Sequence, residues 1–194
     1  ISRELCAKAK ALAKEMNYRP NPFAMSLRKN APRIIGVIVP DIVTHFFASI
    51  LNGIENMAIA NGYFVIITTS HESYEHEKRN IENLVNMRVE GIIACLSQET
   101  TDFSHISALK DINMPLILFD RVCLTDQFSS VIADGAQSAQ MATQHLLDNG
   151  SKRVAFIGGA NHLDIVKRRK HGYLEALREN RILIEKELVV CRKI

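Results

Sequence analysis

Hydrophobic residues recur with two different periods along this chain, and the change between them divides it. Over residues 2–16, Leu5, Ala9, Leu12, Ala13 and Met16 fall three or four apart, the spacing of one helix face, and Ser2 stands where an N-cap belongs. That stripe is thin and rich in alanine, too small for a core of its own. Asn17, Pro20, Asn21 and Pro22 then force an extended or turning path. Residues 23–30 follow Pro22 directly, and proline suits the approach to a first helical turn. A stretch this short is not stable as a helix alone in water, so it is expected to order only when something holds it.

From residue 34 the texture changes. Residues 34–40, IIGVIVP, form a continuous β-branched run closed by proline, which predicts a strand buried on both faces, as in a parallel sheet. Thr44 is placed to cap a helix over 45–61, with a stripe of Phe47, Ile50, Leu51, Ile54, Met57 and Ala58 and a stop at Gly62. Further strands are expected at 63–69, 91–96, 115–120, 130–134 and 154–159, and the start of one at 187–191. Helices are expected at 74–88, 103–112, 135–149 and 164–180. Strands alternating with helices of this length imply βαβ units and an α/β fold with a doubly wound parallel sheet. Ligands on such a sheet bind outside the carboxyl ends of the strands, where strand order reverses.

Composition adds limits. With 47% hydrophobic and 23% charged residues the chain is an ordinary globular one. Cys6, Cys95, Cys123 and Cys191 are scattered, with no C-x-x-C pair, which fits a reducing compartment and argues against a disulfide scaffold. No apolar run approaches the roughly 18–20 residues that cross a bilayer, and the first residues carry early charge rather than a signal-peptide core. The expectation is a cytoplasmic protein without a membrane partner. Net charge is only +3, but residues 1–33 hold eight Lys/Arg against Glu4 and Glu15, while the rest is slightly acidic. A basic arm on an acidic body suggests a polyanionic partner such as nucleic acid; a solvated lysine-rich helix is the plainer alternative. No G-x-G-x-x-G, P-loop, G-x-S-x-G or H-E-x-x-H spacing occurs, so nothing argues for an enzyme, a cofactor or a metal.

A specific set of residues carries a resemblance. The run Tyr18-Arg19-Pro20-Asn21-Pro22-Phe23-Ala24-Met25-Ser26-Leu27-Arg28, followed by the strand Ile35-Gly36-Val37-Ile38-Val39-Pro40, resembles the hinge region of the LacI/GalR family of bacterial transcription regulators. In order along the chain there follow Phe46-Phe47, Glu90-Gly91-Ile92-Ile93, Phe119-Asp120-Arg121, Asp134-Gly135-Ala136, His145-Leu146-Leu147, and Arg169 with Gly172-Tyr173. The resemblance implies a helix-turn-helix that reads an operator, a hinge helix in the minor groove, and a two-lobed body, like a periplasmic sugar-binding protein, that senses a small effector. It divides the chain into 1–30 (last helix of the helix-turn-helix plus hinge), 31–133 (first lobe) and 134–194 (start of the second lobe). The family pattern has two further helices before residues 2–16 and a longer second lobe, so the chain is expected to be a fragment. A homodimer on palindromic double-stranded DNA is implied, with the helices at 45–61 and 74–88 as pairing surfaces.

The resemblance also implies roles. Leu27 would wedge into the central base step, trading unstacking for a bent and better-wrapped site; otherwise it is a packing leucine. Asn21, Ala24, Ser26, Arg28 and Lys29 would touch phosphates or line the groove, or else form a solvated linker. Phe46 lies off the apolar stripe of its helix and would face a sugar-like effector; Phe47 fits either effector or core. Arg169 would clamp the ligand, unless the run Lys167-Arg168-Arg169-Lys170 is a solvated face. Asp134 reads equally as a helix cap and as an acceptor for effector hydroxyls, and Asp120 and Arg121 sit at a strand end facing the crevice. Two rivals share the body fold: a solute-binding protein of a sugar transport system, which would need an export signal and no hinge, and an α/β enzyme, which would need a missing motif.

Overall fold

The computed structural model describes residues 2–18 and 33–192. The chain forms two compact units, residues 1–33 and 34–194. In the first, helix α1 (Arg3–Glu15) begins at Ser2, whose Oγ accepts the Leu5 N–H at 3.2 Å. Leu5, Leu12 and Met16 are exposed, as a stripe too thin for a core requires. The helix expected over 23–30 lies outside the described residues.

The second unit runs β1 (Ile34–Val39), α2 (His45–Ala60), β2 (Phe64–Thr69), α3 (Tyr74–Asn86), β3 (Gly91–Ala94), α4 (Ser104–Asp111), β4 (Leu116–Phe119) and β5 (Ser129–Val131). It continues with α5 (Gly135–Asp148), β6 (Phe156–Gly158), α6 (Asp164–Glu179), a 3-10 turn at Lys186–Leu188, and β7 (Val189–Cys191). The first five strands make one parallel sheet in the order β2-β1-β3-β4-β5, and β6 and β7 pair in a second parallel sheet. The expected α/β doubly wound sheet is therefore present. The order reverses between β1 and β3, so the crevice lies beyond their carboxyl ends.

The period of two along each strand sorts the core into layers. Val37, Val39, Cys95 and Phe119 pack with Phe47 and Leu51 of α2 on one face. Ile34, Ile38, Ile92, Ala94 and Leu118 meet Ile81 and Leu84 of α3 and Ile106 and Leu109 of α4 on the other. Gly36 makes room on that second face: a Cβ there would sit 2.6 Å from Leu84 Cδ1. Helices α5 and α6 approach more closely still, since a Cβ on Gly172 would lie 1.9 Å from the Ala136 carbonyl oxygen.

Several expectations need correction in detail. Met57 is exposed rather than in the α2 stripe. Thr44 occupies the cap position of α2 without a side-chain bond; the Asp41 carboxylate instead accepts the Val43 and Thr44 N–H groups, each at 2.9 Å. The strand expected at 130–134 stops at Val131, because Asp134 turns out of the sheet to cap α5. The strands expected at 91–96 and 115–120 end early, at Ala94 and Phe119, and the one expected at 154–159 is confined to Phe156–Gly158.

Candidate functional site

The loops at the carboxyl edge of the sheet are built by side chains that hold backbone. The Asp41 turn delivers Phe46 and Phe47 to the first turn of α2. Phe47 is buried, with its ring 6.4 Å from that of Phe119, so it serves the core. Phe46 is half exposed and meets Phe47 edge-on at 5.2 Å. An aromatic face held this way is available to a sugar ring.

After β2, His71 and Glu72 both take left-handed backbone (φ 52° and 61°), a costly geometry for residues with a Cβ. It swings the Glu72 carboxylate across the strand ends. There it accepts the Gln98 N–H at 2.8 Å and pairs with Arg121 Nη1 at 2.6 Å. Arg121 also donates to the Leu96 carbonyl at 3.2 Å. Burial opposes the charge on Arg121, but Glu72, Cys95 and Asp120 outweigh it, so its pKa is raised. Asp120, also left-handed at φ 58°, is half-buried, and burial raises its pKa against the pull of Arg121, Arg169 and Arg168. The charges of Arg168 and Arg169 on α6 are thus felt at Asp120, after β4.

Beneath these loops lies a fully buried carboxylate. Glu77 of α3 accepts the Ser97 N–H at 2.5 Å and the Thr100 hydroxyl at 2.9 Å, and His105 Nε2 lies 2.8 Å away. Ser97 Oγ reaches Ser70 Oγ at 2.9 Å, and Tyr74 packs edge-on against His105. The loop 97–100 is thereby fixed from α3 and from Glu72. From it the Gln98 carbonyl crosses to accept His162 Nε2 at 2.8 Å, just before α6.

Asp134 caps α5, with Oδ1 accepting the Gln137 N–H at 2.9 Å. Arg169 is exposed, and its stem lies over Gly135, with Cγ 3.3 Å from where a Cβ would stand. Its neighbour Arg168 is the more buried of the two; it pairs with Asp164, and its Nε has no partner among the described residues. Asp134 and Arg169 thus flank the start of α5, and Asp120 lies within electrostatic reach of Arg169, whereas Arg121 is committed to Glu72. Asn21, Ala24, Ser26, Leu27, Arg28 and Lys29 lie outside the described residues. Glu72, Glu77, Gln98, His105 and His162 were missed by sequence reasoning. Only Glu77 carried a signal: it stands four and seven residues before Ile81 and Leu84, a carboxylate on the apolar stripe of its own helix.

Burial pushes the Cys95 and Cys123 thiols up to about 12, away from the reactive thiolate. Among the described residues no group of three or more His, Cys, Asp or Glu is placed to hold a metal ion. No helix among them is long and apolar enough to cross a membrane.

A parallel α/β body with a polar crevice at the carboxyl edge of its sheet is the class these features define. Residues 33–191 match the family model described as periplasmic binding proteins and sugar binding domain of LacI family, and the chain belongs to that family. It is 33% identical over 180 residues to catabolite control protein A of Priestia megaterium, covering 90% of this chain and 52% of that protein. Among solved structures, the transcription regulator CcpA of Lactococcus lactis is similar at TM-score 0.75 and 29% identity, over 81% of this chain and 58% of the other. The Cra transcriptional dual regulator of Pseudomonas putida, in complex with fructose 1-phosphate, is similar at 0.71 and 25%, over 83% and 57%. The chain spans about half the length of the curated relatives it matches.

Proposed function

We propose that this chain is part of an effector-responsive, DNA-binding transcription regulator, a repressor without catalytic activity. The observation that carries the reading is the conjunction of a family match over 33–191 with a basic arm of eight Lys/Arg in residues 1–33. A small sugar or related metabolite binds between the two α/β lobes, with Phe46 stacking on it, Arg169 clamping it, and Asp120 and Asp134 accepting from its hydroxyls. Phe47 supports Phe46 from the core, and Arg121 holds the strand-end loops. The relatives supply the class: regulators named for a ribose operon and for catabolite control, and one solved with a sugar phosphate.

Effector binding changes the angle between lobes, which biases whether paired hinge segments order on operator DNA. In that state Leu27 wedges into the base stack, and Asn21, Ala24, Ser26, Arg28 and Lys29 meet phosphates or line the groove. A homodimer matches a palindromic operator. The family description also covers periplasmic binding proteins, so a solute-binding protein of a sugar transport system is the alternative reading of the body. DNA affinity separates the two. The chain is expected to bind duplex DNA in fluorescence anisotropy, with log affinity falling linearly with log salt. Residues 34–194 alone are expected to lose that binding. Measurable DNA binding of equal affinity with and without residues 1–33 would sink the regulator reading and leave the binding-protein one.

A further inference from the structure

Two exposed histidines meet just beyond the carboxyl end of β2. His71 follows the strand, and His76 lies in the first turn of α3. Five residues apart, they are at the wrong step for one helix face. The fold brings them together because His71 precedes the helix. Left-handed backbone at His71 and Glu72 (φ 52° and 61°) makes the turn into α3, and the His71 N–H anchors it by donating to the Pro40 carbonyl at 2.9 Å. The two rings then stand edge-on, with an interplanar angle of 79° and centres 6.0 Å apart.

That spacing is close to the one a shared metal ion imposes. Imidazole nitrogens suit zinc, copper and nickel. With Zn–N bonds of about 2.0–2.1 Å, two imidazoles on one tetrahedral ion have ring centres about 5 Å apart. The gap between His71 and His76 is about 1 Å wider, and rotation about the side-chain bonds of two exposed residues closes it. One ring already has the kind of partner that orients a metal-bound histidine, since His71 Nε2 lies 2.9 Å from Thr69 Oγ1. A metal on Nδ1 selects the tautomer in which Nε2–H donates to that hydroxyl. The Glu72 carboxylate is not spare, because it holds Arg121 and the Gln98 N–H. No third His, Cys, Asp or Glu joins the pair among the described residues, so water completes the coordination, as at an open site.

We propose that His71 and His76 form a two-histidine site for a late first-row divalent cation, with Zn²⁺ as the type. Held by Nδ1 of His71 and a ring nitrogen of His76, the ion ties the turn after β2 to the first turn of α3. Glu72, next in the chain to His71, reaches from that same turn to Arg121 and to the loop 97–100. The ion therefore braces the turn on which those strand-end contacts depend, and adds its binding energy to the folded arrangement. The existence of the site does not depend on what binds between the lobes or on whether the chain binds DNA.

The test uses the 194-residue chain carrying Cys6→Ser, which removes an exposed thiol that competes for zinc. Titrated with Zn²⁺ in a calorimeter, it is expected to saturate, and Mg²⁺ is expected not to bind. His71→Asn, which tolerates left-handed backbone, and His76→Ala are each expected to weaken Zn²⁺ binding by at least tenfold. Thr69→Val frees the His71 ring and is expected to weaken it by about tenfold. His171→Ala removes an exposed histidine of α6 and is expected to leave affinity unaltered. All four side chains lie outside the core clusters, so the metal-free melts of these variants are expected to match. With Cu²⁺ in place of Zn²⁺, electron paramagnetic resonance is expected to show two nitrogen ligands, and one in either the His71 or the His76 variant. Absence of saturable Zn²⁺ binding overturns the proposal. So does full affinity in either the His71 or the His76 variant, or an equal loss in His171→Ala.

Discussion

Glu77 is a carboxylate with no solvent around it, and its stability rests on the three groups that meet it. Removing one side of such a buried cluster strands the others, at a cost of about 3–5 kcal/mol. Glu77→Ala is therefore expected to lower the thermal midpoint by roughly 10 °C, and Glu77→Gln by less, in circular dichroism melts. Asp120 behaves in the opposite sense. Its folded-state pKa lies above its unfolded value, because burial disfavours the carboxylate more than the nearby arginines favour it. Such a group lowers stability once pH rises above the unfolded pKa, and the loss is relieved as pH falls through the raised one. Asp120→Asn keeps a residue that tolerates φ 58° and removes the charge. The variant is expected to melt higher than the wild type at pH 7, by about 2–4 °C if roughly 1 kcal/mol is recovered, with the gap narrowing on acidification. A residue retained against stability is one expected of a binding site, so the same variant should bind effector more weakly.

Elements are held in place by what their residues leave out. Helices α5 and α6 touch where Gly172 meets the Ala136 carbonyl and the Gln140 amide, and both neighbours are backbone that cannot turn aside. Gly172→Ala is expected to destabilise by about 3 kcal/mol or more, since the helices must separate. Gly53, in the middle of α2, has open space around its missing Cβ. Gly53→Ala is expected to stabilise by roughly 0.5–1 kcal/mol through the helix backbone alone. Urea melts of the two variants should therefore move in opposite directions. The helix and strand pattern that places these glycines was legible in the sequence, because the spacing of Phe47, Leu51 and Ala58, or of Ile92 and Ala94, is a local property of the chain. The contact that makes one glycine indispensable and the other dispensable lies between elements far apart in sequence.

For the whole molecule, the basic arm and the acidic body are expected to act as separable parts. Residues 34–194 contain all the described core clusters, so their thermal midpoint should change little when residues 1–33 are removed, while DNA affinity is lost. The crevice proposed for the effector depends on the body as a unit. Asp120 comes from the end of β4, Asp134 and Arg169 from α5 and α6, and the Gln98–His162 bond joins loops 64 residues apart. Breaking that bond with His162→Phe is expected to raise hydrogen exchange in residues 97–100 and 160–167 without unfolding either sheet.

The sequence alone determined the alternation of strands and helices, the doubly wound class, the cap at Ser2, the break at residue 34 and the ordered residues of the family match. Each of these is written in spacing, backbone preference or charge along a short stretch, where local chemistry decides the outcome. Tertiary structure alone decided between effector and core for Phe47, which it buries, and it decided that Arg121 is spent on Glu72. It also decided that Met57 is exposed, and that Glu77 and His105 meet beneath the strand ends. Those outcomes depend on which groups from distant segments arrive at the same point, and on whether burial there leaves a charge paired or alone. The carboxyl edge of a parallel sheet gathers loops from every strand, so the residues that matter most for binding are the ones whose partners no local pattern names.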